Sequence, residues 1–156
     1  MKLPLRIVIC ALTVILLGSL SGILSQSADR SWYQSLIKPP GTPPGWVFGP
    51  VWTILYSLMG ASFAIIWHLP PGTPSRPCAI RFFLIQLLLN LSWTPVFFGA
   101  HQILPALLII ATLVVAIVLT IRQFSRINGT AGKLLIPYLA WVSYATYLNA
   151  GFLALN

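Results

Sequence analysis

Charge interrupts this chain so rarely that its apolar runs define the plan. Residues 7–28, 39–75, 82–121 and 134–156 contain no Asp, Glu, Lys or Arg, and these runs are 22, 37, 40 and 23 residues long. A helix that crosses a membrane needs about 20 mostly apolar residues. The first and last runs fit one such helix each. The 40-residue run fits two helices with a turn, and the 37-residue run fits one helix plus an uncharged loop. The pattern predicts spans at about 5–25, 46–68, 79–98, 103–124 and 133–155, with a long loop at 26–45. A membrane β-barrel would alternate in polarity along each strand, whereas these runs are continuously apolar. The predicted fold is all-α, a five-transmembrane-helix bundle, with residues 1–156 forming a single transmembrane domain.

The first run allows two readings. Lys2 and Arg6 precede an apolar core at 7–17, and Gly18, Ser19, Ser21 and Gly22 follow, which is the layout of a signal peptide. The same residues are long enough to span. Gly18 and Gly22 then form a G-x-x-x-G that lets another helix approach closely. The long loop holds Asp29, Arg30, Trp32, Tyr33, Lys38, Pro39, Pro40, Pro43 and Pro44. Its prolines favour stiff turns, so it reads either as an ordered lid over a site or as a cover for helix ends with aromatic interface anchors.

Polar and aromatic positions mark the faces of the spans. In the second, Pro50 is expected in the first turn, where a missing N–H costs little. Trp52, Tyr56, Gly60, Phe63 and Trp67 form a stripe there. Asn90 and Trp93 share a face of the third span, and Trp141, Ala145, Leu148 and Asn149 share a face of the fifth. The fourth span, nearly all aliphatic, suits a lipid-facing or scaffold helix. An amide in lipid needs a partner, so Asn90 and Asn149 should face inward. One reading makes them helix glue worth about 0.6–2 kcal/mol per bond. The other makes them fixed polar groups in a cavity lined by indoles, a site for a flat apolar ligand.

Composition narrows the function classes. Nine Lys or Arg stand against one acidic residue, and 6% of the chain is charged, where a soluble domain carries about 25%. The net charge of +8 does not point to nucleic acid, because no basic stripe lies on a soluble face. Lys2, Arg6, Arg76, Arg81, Arg122, Arg126 and Lys133 fall on one side of the predicted topology, and Arg30 and Lys38 on the other. That asymmetry predicts the N-terminus inside and the lid loop outside. The sequons at Asn128 and Asn90 fall on the inside and within a span, as chance matches. Cys10 and Cys78 make no disulfide framework, and no metal-ligand spacing occurs, so neither metal nor cofactor is expected. Acid–base catalysis needs a placed titratable group. Only Asp29, His68, His101 and a few lysines offer one, and both histidines sit at span ends where imidazoles can face headgroups.

The longer motifs carry a resemblance. Trp32-Tyr33-x-x-Leu36-x-Lys38-Pro39 is followed by Pro43-Pro44-x-Trp46-Val47-Phe48-x-Pro50-Val51-Trp52-Thr53-x-Leu55-Tyr56. Then come Gln86-Leu87-x-Leu89-Asn90-x-x-Trp93-x-Pro95-x-Phe97-Phe98-Gly99, Leu134-Leu135-x-Pro137-Tyr138-Leu139-x-Trp141 and Ala145-Thr146-x-Leu148-Asn149. Together they resemble the translocator protein family, also called the tryptophan-rich sensory protein or peripheral benzodiazepine receptor family. The resemblance makes the first segment a retained helix. It implies a five-helix bundle, a homodimer, and a receptor or carrier for porphyrins, haem-type tetrapyrroles and isoquinoline or benzodiazepine drugs, in the cell membrane if the source is bacterial. It implies a ligand site at Trp52, Asn90, Trp93, Trp141, Ala145, Leu148, Asn149, Gly22 and Phe97, with Trp32, Tyr33, Lys38 and Trp46 in the lid and its seat. A sterol is not favoured: the recognition pattern needs a basic residue after a Tyr, and nothing basic follows Lys133. Two alternatives stand beside the receptor reading. One is light- and oxygen-dependent breakdown of protoporphyrin, in which case the protein is an enzyme. The other is a membrane scaffold that dimerises through Gly18–Gly22 and the aliphatic fourth span.

Overall fold

The computed structural model describes residues 1–26 and 30–156, with Gln26 and Arg30 described in backbone only. Asp29 therefore lies outside the described residues, as does the Arg30 side chain. Helix α1 runs Leu3–Gln26, α2 is a short Arg30–Ser35 helix in the long loop, and α3 runs Gly45–His68. Helix α4 runs Arg76–Thr94 and continues into a π-helical turn at Pro95–Gly99. Helix α5 is Ile103–Ile127, α6 is Gly129–Lys133 and α7 is Ile136–Leu155. Among the described residues there is no strand. By length and composition α1, α3, α4 with its π turn, and α5 can each cross a membrane. Those are four of the five predicted spans. Helix α7 is 20 residues long and carries Tyr138, Tyr144, Tyr147 and Asn149 among its apolar residues.

The ends of the elements differ from the expected ones for local reasons. Helix α4 begins at Arg76, before the predicted residue 79, because Pro77 fits the first turn, where its missing N–H is no loss. Pro50 stands one turn inside α3 rather than in its first turn, so the Trp46 carbonyl has no N–H from residue 50 to accept. Pro95 does the same at the end of α4. The chain widens there, and the Ala100 N–H donates to the Pro95 carbonyl at 2.8 Å, five residues back. His101 then turns the chain with a left-handed φ of 56°. Helix α7 fills almost all of the predicted last span, 133–155, and the short α6 precedes it. The Asn128 side chain accepts from Ala131 N at 3.0 Å and caps α6, so this sequon residue has a structural role. The long loop, predicted without regular structure, contains α2.

Packing follows the small residues. Helix α1 lies along α3. A Cβ on Gly60 would overlap the backbone of Ala11, and one on Gly18 would overlap the Tyr56 ring. The first glycine of the G-x-x-x-G is thus used inside the chain, while Gly22 faces open space. Most of α1 is otherwise exposed, including Leu5, Leu12, Leu16, Leu20 and Ile23. Helix α5 takes both roles foreseen for it, with Leu104, Leu108 and Val115 exposed on one face. Its stripe Ala106, Ile110, Leu113, Ile117, Thr120 and Phe124 is buried against α4 and α7. Across the middle, Phe63 stacks on Phe83 at 4.6 Å and Phe83 on Phe124 at 5.9 Å. Lipid is as apolar as these side chains, so close packing rather than exclusion from water holds the helices together.

At one end of the bundle Arg6 and Arg76 close the C-terminus of α3. Arg6 Nη1 donates to the Trp67 carbonyl at 3.1 Å, and Arg76 donates to the carbonyls of Ile66 and Trp67. Both cations thereby meet the negative end of the helix dipole. The glycine contacts give the first prediction. Gly60→Ala is expected to lower stability by about 1–3 kcal/mol, since backbone cannot yield as a flexible side chain would. Gly22→Ala is expected to leave it unchanged. Thermal unfolding of both variants in detergent checks this.

Candidate functional site

A cavity of about 680 Å³ opens between α1, α3, the end of α4, α7 and the long loop. Four indoles border it: Trp52 from α3, Trp93 from α4, Trp141 from α7 and Trp32 from α2. Gly18, Gly22, Gly45 and Gly49 keep two of its walls low. Gly22, Gly45 and Gly49 would each accept a Cβ without contact, so the space in front of them is open. The rings are fixed by aromatic neighbours. Trp52 stacks on Tyr56 at 5.1 Å, Trp93 stacks on Phe97 at 5.3 Å, and Phe48 meets Trp141 edge-on at 6.0 Å.

Of the residues expected at the site, Gly22, Trp32, Tyr33, Trp52, Trp93, Trp141 and Ala145 border this cavity. The others stand elsewhere. Asn90 is buried behind the wall and accepts from Tyr56 Oη at 3.1 Å. Asn149 accepts from Trp93 Nε1 at 3.0 Å and donates to the Ile103 carbonyl at 3.0 Å. Leu148 and Phe97 belong to a small core with Ala106 and Phe152 beneath the lid. Lys38 lines an adjoining space, and Trp46 is 77% exposed. The choice between amide glue and a ring-lined cavity dissolves here. The amides do not border the cavity; they hold the aromatic side chains that do. Trp141 differs from Trp93, because its Nε1 is buried with no acceptor among the described residues.

Several residues at the cavity escaped the sequence reading, among them Phe48, Gly49, Tyr56 and Phe98. A signal was present: 45, 49, 52 and 56 continue one helical stripe, with glycines ahead of aromatics. The spacing alone did not say that the glycine half faces empty space.

The loop is fastened over the cavity by α7. Asn156 Oδ1 accepts from Ile37 N at 2.9 Å, and Asn156 Nδ2 donates to Ile37 O at 3.1 Å. Tyr144 Oη donates to Gly41 O, and Tyr147 Oη to Pro40 O at 3.2 Å. Pro39 sits against Gly151, where a Cβ would collide with its ring. Gly41 takes a φ of +86°, which glycine adopts without strain. On the other flank Trp32 stacks on His101 at 4.4 Å, and Tyr33 packs on Phe98 and Phe152. His101 is thus part of the seat of the loop rather than a ring turned to the headgroups.

Comparison with known proteins matches this arrangement to a family. The sequence profile of the TspO/MBR family covers residues 9–155. The chain belongs to that family. It is 38% identical over 155 residues to the tryptophan-rich protein TspO of Chlorobaculum tepidum, covering 99% of this chain and 98% of that one. It is 40% identical over 119 residues to the human translocator protein, covering 76% of this chain and 70% of that one. It is 37% identical over 125 residues to the tryptophan-rich sensory protein of Cereibacter sphaeroides, covering 80% and 77%. This TspO/MBR family member is accordingly a membrane protein, as its apolar helices require.

Two predictions follow from the hydrogen bonds of this TspO/MBR protein. Asn149→Ala frees Trp93 Nε1 and is expected to cost about 0.6–1.7 kcal/mol, the range for such bonds between membrane helices. Thermal unfolding, with Trp emission read alongside, measures it. Asn156→Ala removes both bonds to Ile37 and is expected to raise amide exchange in the loop around Ile37 roughly thirtyfold, at about 1 kcal/mol for each hydrogen bond. Hydrogen exchange by mass spectrometry checks that the rise is confined to the loop.

Proposed function

We propose that this protein is an integral membrane receptor or carrier for porphyrins and other tetrapyrroles, which also accepts isoquinoline- and benzodiazepine-type ligands, with a sensory or transport role. The observation that carries the reading is the set of four indoles around one cavity of about 680 Å³. That size falls in the usual range of about 300–1,000 Å³ for small-molecule sites, which are mostly apolar with a few placed polar groups. Trp52, Trp93 and Trp141 stack against the planar ring. Gly22 and Ala145 leave room for its edges, while Asn90, Phe97, Leu148 and Asn149 support the walls. The loop at 26–45, with Trp32, Tyr33, Lys38 and Trp46, is the lid. Among the described residues, no lining side chain of the cavity is a carboxylate, histidine or lysine.

The same reading treats residues 1–156 as one transmembrane domain. Helix α7 serves as the fifth span, because its polar side chains turn inward to the lid and to Trp93. The seven basic residues at the N-terminus and the 2–3 and 4–5 connections lie inside, and the lid lies outside. A homodimer would need a face other than Gly18, since Tyr56 occupies that groove; the exposed leucines of α1 supply one.

The test is titration of the purified protein with protoporphyrin, read as quenching of intrinsic Trp fluorescence. Trp141→Ala is expected to weaken binding about tenfold or more, since stacking of a base on an aromatic side chain is worth about 1–3 kcal/mol. Gly49→Phe, which fills open space in the cavity, is expected to abolish binding with little loss of stability. Unchanged affinity in both variants would sink the reading. Loss of bound pigment under light, faster than that of free pigment, would instead favour the degrading enzyme.

A further inference from the structure

At the end of the bundle away from the lid, two cations converge on one acceptor. The first turns of α1 and α4 meet the C-terminus of α3 there. Arg6 Nη1 and Arg76 Nη2 donate to the same oxygen, the Trp67 carbonyl, at 3.1 and 2.9 Å. Arg76 Nε also reaches the Ile66 carbonyl at 3.3 Å. The Arg6 guanidinium lies 5.1 Å over the Trp67 ring. Sharing one oxygen, the two guanidinium groups stand side by side, and like charges so placed repel.

The chain does not balance this charge itself. The end of α3 supplies about half an elementary negative charge, against two full positive ones. Helix α4 begins at Arg76 and brings its own positive end to the same place. The described residues contain no carboxylate side chain, since the chain's one acidic residue is Asp29. Each guanidinium has five N–H donors; Arg6 spends one on a carbonyl and Arg76 spends two. A planar fork of this kind meets phosphate oxygens two bonds at a time. The setting selects the phosphate. Three apolar helices end together here, at the level where a bilayer places its headgroups. Trp67, 38% exposed, is a ring of the kind that anchors helices at that level. Helix α1 leaves Leu5, Val8, Leu12 and Leu16 exposed along its length, an apolar face on which acyl chains can lie. Basic pockets between membrane helices recognise anionic headgroups.

We propose that Arg6 and Arg76 form a binding site for the phosphate of an anionic phospholipid, held where α1, α3 and α4 meet. The lipid's charge offsets the repulsion between the two guanidinium groups and ties the start of α1 to the start of α4. The site lies at the opposite end of α3 from the Trp-lined cavity and stands independently of the tetrapyrrole reading.

The test is native mass spectrometry of the full chain in a neutral detergent. It is titrated with phosphatidylglycerol, or with phosphatidylcholine of the same acyl chains, whose choline offsets its phosphate. The wild type is expected to bind the first phosphatidylglycerol roughly thirtyfold more tightly, at about fivefold for each cation near an anionic lipid. Arg6→Gln and Arg76→Gln are each expected to lower that preference about fivefold, and Arg76→Lys to keep most of it. Arg126→Gln removes an exposed cation of α5 and is expected to leave it unchanged. The preference is a ratio within one protein, so a general loss of stability does not mimic its fall. Equal binding of the two lipids by the wild type overturns the site without any variant. A fall in Arg126→Gln as large as that in Arg76→Gln overturns it too, since diffuse charge then does the attracting. Displacement of phosphatidylglycerol by millimolar inorganic phosphate overturns the lipid assignment in favour of a free anion.

Discussion

Three polar bridges along one face of α4 set the geometry of everything around them. Gln86 accepts from Tyr138 at 2.8 Å, Asn90 accepts from Tyr56 at 3.1 Å, and Trp93 donates to Asn149 at 3.0 Å. The spacing of four and three residues puts all three on one side of the helix. Their partners lie on two different helices, α7, α3 and α7 in turn. In lipid no water is at hand to satisfy these groups, so each must find protein. Helix α4 therefore fixes the positions of α3 and α7 relative to itself, and the space left between their upper halves is the cavity.

The same rule shapes the aromatic walls. Tyr56 is held by Asn90, and Trp52 stacks on Tyr56. Trp93 is held by Asn149, and Phe97 lies flat beneath it. Two of the rings facing the cavity are thus ordered by a polar contact, Tyr56 by Asn90 and Trp93 by Asn149. An unordered indole would lose entropy on meeting a ligand; an indole already held loses less. Trp141 is set instead by an edge contact to Phe48, and its N–H has no partner among the described residues.

The loop gains its order from α7 rather than from its own sequence. Proline limits its backbone, but the contacts that hold it come from Tyr144, Tyr147, Gly151 and Asn156, more than 100 residues away. Helix α7 consequently serves two regions at once: its upstream part supplies Trp141 and Ala145 to the cavity, and its downstream part fastens the cover. Tyr144 and Tyr147 of α7 are spent on the cover, and Asn149 on holding Trp93.

The membrane character and the positions of the long helices were legible in the sequence, because charge-free runs of about 20 residues leave few alternatives in lipid. So was the inward direction of Asn90, Trp93 and Asn149, since an amide in a span must turn toward protein. The motifs also carried the family. What each inward residue touches was not legible. Helical spacing gives a face but not the neighbour across it, so Asn90 and Asn149 read equally as glue and as cavity lining. Tertiary packing decided that they stand behind the wall. It also decided that Gly18 admits a ring of the same chain, that Gly45 and Gly49 face open space, and that Lys38 belongs to a separate pocket. Sequence determined which groups had to be buried and paired, through the cost of an unsatisfied polar group in lipid; only the crossing of the helices determined which pairs formed and where they left a hole.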